Sequence, residues 1–238
     1  MCGRFTLHSP KDFIAQRFEV DLDGIPELAP RYNIAPTQQA LAVLVNTRDA
    51  GTAREARTLR WGLIPHWAKD GAKLPLMINA RVETLAERPA YRDAFRTHRC
   101  LIPADGFYEW RVNDGKNPKT PYFLHLRGGN LFAMAGLWAH WRPMAEGAEP
   151  ITSCTIVTAP ANSALAPIHD RMPVILAPEN EAAWLDPELQ DPEALRALLT
   201  PLGPEHFEKR VVSTLVNSVE HDGPRLIEPA PDPAPSLF

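Results

Sequence analysis

Three cysteines in 238 residues, an odd number with no Cys-x-x-Cys spacing, exclude a disulfide framework and a thiolate zinc site. No apolar run approaches the ~18 residues of a membrane-spanning helix, and no long apolar segment follows Arg4 as a secretion signal would require. Net positive charge is missing as well. The formal balance is −4, so no global field draws in nucleic acid, and a polyanion would have to be met by a local cluster. Internal repeats and a strand–helix–strand rhythm are also absent. What remains, 45% hydrophobic and 23% charged residues, is an ordinary water-soluble composition, expected in the cytosol. The length fits one large domain with a sizeable core, or at most two small ones. Proline is plentiful: 25 residues, roughly twice the average share, point to many fixed loops and strand edges.

Along the chain, Ser9 reads as a helix N-cap and Pro10 as the first helical residue, followed by Phe13, Ile14 and Phe18 on one face. Residues 40–46 and 58–63 read as a hairpin of strands, and 88–97 as a helix with Tyr91 and Phe95 four apart. Strand patterns follow at 100–102, 106–111, 121–126, 131–138, 151–158 and 172–177, rich in β-branched and aromatic residues and broken by Asp-Gly and Gly-Gly turns. Short helices near 179–185 and 192–199 precede a last strand at 209–216. The pattern is α+β: one domain over 1–225 with a curved, largely antiparallel, barrel-like sheet core and peripheral short helices. Residues 226–238, with the run Glu228-Pro-Ala-Pro-Asp-Pro-Ala-Pro, are expected to form a loose tail.

The most informative residue is Cys2, directly behind Met1. Removal of Met1 would leave an α-amine and a thiol on one carbon skeleton. Their reference pKa values are about 7.7–8.0 and about 8.5, so both are nucleophiles within reach of neutral pH. Cys100 and Cys154 lie in apolar strand patterns and read as buried structural thiols.

Other chemistry-bearing residues stand beside Gly, Pro or Trp at strand ends, where a rigid strand holds a side chain at the lip of a cleft. They are Asn33 in Arg-Tyr-Asn-Ile-Ala-Pro36, Trp61 and Trp67 in Trp-Gly-Leu-Ile-Pro-His-Trp, and Asn79, Arg81 and Glu83 in Asn-Ala-Arg-Val-Glu. Glu109 stands in Asp105-Gly-Phe-Tyr-Glu-Trp, and His169 and Arg171 in His-Asp-Arg-Met-Pro. Singly, each has a plainer explanation. Glu109 alternates with Phe107 and Arg111 as a solvent-facing ion-pair residue would. His169 would simply cap a loop, Trp61 and Trp67 would fill the core, and Arg81 would pair with Glu83.

Together, and in this order behind Cys2-Gly-Arg-Phe, the five segments resemble the SRAP family (SOS response-associated peptidase), whose members process abasic sites in single-stranded DNA. The resemblance runs from Met1 to about Gly223, with no departure at the motif positions. It implies that the amine of Cys2 attacks the open-chain aldehyde of an abasic sugar and that the thiol closes a thiazolidine, a covalent DNA–protein bond of the DNA damage (SOS) response. By the same resemblance Glu109 is the general acid/base, His169 a second acid/base at the sugar oxygen, and Asn79 the residue that orients nucleophile or sugar. Arg4, Arg81 and Arg171 would hold phosphates, Pro36, Trp67 and Trp61 would give an apolar shelf for bases, and Asn33 and Thr158 would shape the pocket. No metal, other cofactor or obligate protein partner is implied, and the chain is expected to be a monomer.

Three other readings share some of these features. A cysteine peptidase would use Cys2, Glu109 and His169, with self-removal of Met1 as its minimal reaction. Class II glutamine amidotransferases also begin Met-Cys-Gly, but typically continue with Ile and carry a synthase domain for which this chain has no room. A binding module for damaged single strands would need no reactive cysteine.

Overall fold

The structure, a computed structural model, describes residues 2–25, 28–45, 53–69, 76–113, 116–145 and 147–231. Its strands are β1 (Phe5–Leu7), β2 (Arg31–Ile34), β3 (Gln39–Val45), β4 (Arg54–Trp61), β5 (Asn79–Arg81), β6 (Arg99–Ala104), β7 (Gly106–Asn113), β8 (Lys116–Leu126), β9 (Phe132–Trp141), β10 (Ile151–Pro160), β11 (Arg171–Pro173) and β12 (Phe207–Val211). The helices are short: α1 (Lys11–Phe18), α2 (Arg92–Thr97), α3 (Pro178–Leu185) and α4 (Pro192–Ala197). No described helix is long and apolar enough to cross a membrane.

One sheet closes on itself. β10 pairs with β4, β4 with β3, β3 with β6, β6 with β9, and β9 returns to β10. Closure removes the exposed edges that an open sheet would carry. The expected barrel-like, largely antiparallel core is thus present, with two parallel contacts, β10 with β4 and β10 with β5. The far end of β10 leaves the ring to pair with β5 and β11.

The second sheet has the order β12-β8-β7-β1-β2. Its side chains alternate by face, as the two-residue strand period requires. Phe5, Phe107 and Leu124 point inward into the main core, whereas Tyr108 and Phe123 point outward into a separate cluster with Val212, Val216 and Leu226. Gly106 is required where β7 begins: a Cβ there would lie 2.3 Å from the Phe123 ring and 2.8 Å from the Leu124 carbonyl.

Several boundaries differ from expectation. The helix expected at 88–97 is shortened to α2, and the last strand ends at Val211, giving way to a 3₁₀ turn over Thr214–Asn217. Ser9 does not cap α1: its hydroxyl and amide both bond Asp105, and Pro10 occupies the cap position. The supposed loose tail is anchored as far as Ala230, whose N–H donates to Val211 O at 2.9 Å. Residues 232–238 lie outside the described residues.

Candidate active site

Cys2 enters the core just ahead of β1 and is fully buried. The chain is fixed at this point from two sides. Antiparallel pairing of β1 with β7 sets Phe5 against Phe107, and Tyr108 N donates to Arg4 O at 2.9 Å. One register step further along β7 stands Glu109. From the other sheet, Asn79 at the head of β5 donates its Nδ2–H to the carbonyl oxygen of Cys2 at 2.9 Å. Asn79 Oδ1 is buried and has no hydrogen-bond partner among the described residues. Tyr91 supports Asn79 from behind, its hydroxyl donating to the Asn79 carbonyl at 3.2 Å.

The site lies where the two sheets meet, and burial governs its electrostatics. Glu109 is 3% exposed, and burial pushes its pKa up to about 7. Glu109 is therefore buried, not turned to solvent as its alternation with Arg111 also allowed. Burial also raises the Cys2 thiol far above its usual range, and the Glu109 carboxylate raises it further. Asp170 in turn raises Glu109, so the 169–171 segment lies within electrostatic reach of Glu109, as Glu109 does of Cys2. Cys2, Asn79, Glu109 and the His169 segment thus share one neighbourhood.

His169 is partly exposed, and burial holds its pKa below the usual histidine value, with Lys119 of β8 acting in the same direction. Its Nδ1 accepts the N–H of Arg171 at 3.0 Å and lies 2.9 Å from Asp170 Oδ1. It does cap its loop, as the plainer reading held.

The expected DNA ligands divide. Arg81 ends β5 with an exposed side chain, and Trp67 is 49% exposed. Pro36 is half-buried, and the next residue, Thr37, is held at φ +73°, a left-handed conformation costly for a β-branched residue. Trp61, by contrast, is wholly buried. Its ring packs edge-on against Phe5 with centroids 5.1 Å apart and its Nε1–H donates to Ile78 O at 2.9 Å, so it is a core residue and not part of a shelf.

Arg4 reaches inward. Nη1 donates to Asn33 Oδ1 (2.8 Å) and to Val216 O (2.7 Å), and Nη2 to Asn217 O (3.2 Å). Arg171 is 7% exposed, grips Glu83 with both terminal nitrogens (2.5 and 2.9 Å) and reaches Thr158 O at 2.6 Å. Its Nε alone is buried without a partner among the described residues. Glu83 therefore pairs with Arg171 and not with Arg81. Thr158 is buried opposite Arg81 in the β10–β5 register, and Asn33 is buried behind Arg4. Neither faces solvent.

The reading of the sequence missed Tyr91, Asp170 and Lys119. Tyr91 looked like a helix-face residue, and Asp170 and Lys119 act at a distance that no local pattern encodes.

Comparison with known proteins matches the chain to a family. The model described as "SOS response associated peptidase (SRAP)" matches residues 1–219. The chain belongs to this family. Within it, the chain is 46% identical over 230 residues to "Abasic site processing protein YoqW" of Bacillus subtilis (strain 168), covering 96% of this chain and 99% of that one. It is 32% identical over 234 residues to "Abasic site processing protein YedK" of Escherichia coli (strain K12), covering 96% and 100%. The SRAP fold is also that of a crystal structure of a protein from Bacteroides thetaiotaomicron. The two agree with a TM-score of 0.82 at 26% identity, over 96% of this chain and 100% of the other.

Proposed function

We propose that this protein processes abasic sites in single-stranded DNA by capturing them covalently through Cys2, after removal of Met1, as a thiazolidine that shields the lesion. The carrying observation is the burial of Cys2 between an orienting amide, Asn79, and a carboxyl group, Glu109, whose pKa lies near neutrality. The names of the relatives, abasic site processing proteins, support the choice of substrate.

The steps balance without a cofactor. The α-amine of Cys2 adds to the C1 aldehyde of the ring-opened sugar, forming a C–N bond. Glu109 takes a proton from the attacking nitrogen and returns one to the departing hydroxyl, and one water leaves. His169 serves as the second acid/base at the sugar oxygen during ring opening. The thiol then adds to the imine carbon, its proton passing to the imine nitrogen. That closure forms a five-membered ring within one residue and is favoured by the absence of any translational entropy loss.

The environment of the thiol also sets the order of events. A buried thiol with a carboxylate beside it resists ionisation, so it is a poor first nucleophile and a poor target for oxidants. The amine acts first, and the sulfur acts only once a strong electrophile lies beside it. The same property tells against general cysteine peptidase activity, which needs an accessible thiolate. Cleavage of the Met1–Cys2 bond is the one peptidase step this reading requires.

For binding, Arg81 would hold a backbone phosphate, and Trp67 with Pro36 would meet the bases beside the lesion. Arg171 would act mainly by fixing the 169–171 segment. A single-stranded oligonucleotide with one abasic site tests the whole. Wild-type protein should give a conjugate that survives denaturant, and Cys2→Ala should give none; equal yields would refute the proposal.

A further inference from the structure

Residues 212–230 cross the outer face of the five-stranded sheet as a strap. A bridge between Val212 and Pro229 fastens its ends, and Val212, Val216 and Leu226 pack with Tyr108 and Phe123 beneath. Between these anchors its carbonyls point one way. Val216 O and Asn217 O accept from Arg4, at 2.7 and 3.2 Å. Ser218 O and His221 O accept from Asn33 Nδ2, at 2.9 and 2.8 Å, while Asn33 Oδ1 accepts from Arg4 at 2.8 Å. The Asn217 side chain completes the set, its Oδ1 accepting Trp110 Nε1–H at 2.7 Å. Asn217 therefore touches both Arg4, two residues beyond the nucleophile, and Trp110, the neighbour of Glu109.

A newly exposed chain end frays unless it is tied down. β1 begins only at Phe5, so its ladder leaves Cys2 three residues outside the strand. Asn79 holds Cys2 from the inner side; the fan of Arg4 holds the segment from the outer side. We infer that the strap is a positioning device for the reactive amino terminus, with Arg4 as its hook and Asn217 as its link to the strand that carries Glu109. Arg4 is then a positioning residue for the amino terminus. A planar guanidinium can meet three fixed acceptors at once, and a lysine ammonium on a flexible stem cannot reproduce that fan.

The inference rests on the thiazolidine reading, and its test separates the two. Single-turnover conjugation is measured at saturating abasic oligonucleotide, and affinity and salt slope are measured for the same substitutions on a Cys2→Ala background. Arg4→Lys should slow conjugation by about tenfold or more, since small misplacement of a reacting group is costly, with affinity and salt slope unchanged. Asn217→Ala, at an exposed position, should slow it to a lesser degree, and Asn217→Asp, which keeps the acceptor, should restore it. An Arg4→Lys protein that conjugates at the wild-type rate overturns the inference. Amide hydrogen exchange over Phe5–Leu7 gives a readout independent of activity. Exchange should quicken in Arg4→Lys; unchanged exchange contradicts the strap's role even if the wild type forms no conjugate, an outcome that by itself would sink only the proposed function.

Discussion

Asn79 Nδ2 lies 2.9 Å from the carbonyl oxygen of Cys2, and this bond joins the head of β5 in one sheet to the chain entering β1 in the other. The two sheets are thereby indexed to each other at the nucleophile. Asn79 Oδ1, left unpartnered among the described residues, is available to an amine or to a sugar hydroxyl.

Asn79→Ala should therefore slow conjugation by roughly 10–100-fold, the scale expected when a reacting group is misplaced by about 1 Å. Non-covalent affinity, measured on a Cys2→Ala background, should change little. A proportional loss of affinity would mean that Asn79 serves DNA binding instead of aim.

Glu109 gives a pH prediction with a defined sign. As the base for amine attack it must be ionised, so the conjugation rate should rise through pH about 7, and Glu109→Gln should lose that limb. A rate profile identical in the variant would remove Glu109 from catalysis.

The same residue should show in stability. Its folded pKa of about 7 lies above its unfolded value, so the native state binds more protons, and its burial costs stability progressively as pH rises from about 4.5 to 7. Glu109→Gln should accordingly be more stable than wild type at pH 8, by on the order of 2 kcal/mol, with the gap closing near pH 4.5. Thermal melts across that range check it; a variant less stable at pH 8 would contradict the burial argument.

The two tryptophans should separate cleanly. Trp61→Ala removes a fully buried side chain and should destabilise the fold by about 3–5 kcal/mol. Trp67→Ala removes a half-exposed ring and should leave stability nearly unchanged while weakening single-strand binding by about 1–3 kcal/mol. Arg81→Ala belongs with Trp67, and should make the salt slope shallower by about 0.7. An unchanged slope would exclude Arg81 as a phosphate ligand.

The strands were legible because runs rich in β-branched and aromatic residues are broken by turn dipeptides. β7 was expected at 106–111 and found over Gly106–Asn113, and the Gly106 turn was marked by its dipeptide with Asp105. The site residues that the motifs flagged around Cys2, namely Asn79, Glu109 and His169, do converge, although they are scattered along the chain. What stayed hidden depends on partners distant in sequence. Ser9 has the local signature of a cap, yet buried Asp105 outcompetes the helix for its hydroxyl and amide. Nothing local to Arg4 or Trp61 announces that the carbonyls of residues 216 and 217 bind the one and the ring of Phe5 packs on the other. The strap itself has no periodic pattern. Its order comes from side-chain bonds supplied by Arg4, Asn33 and Trp110.

Intact mass of the denatured product with an abasic oligonucleotide tests the central claim most directly. The account predicts one species whose mass is that of the Met1-free protein plus the oligonucleotide less one water, absent from Cys2→Ala and from protein that retains Met1. A conjugate that forms on chains still carrying Met1, or whose attachment maps to a lysine, would contradict it.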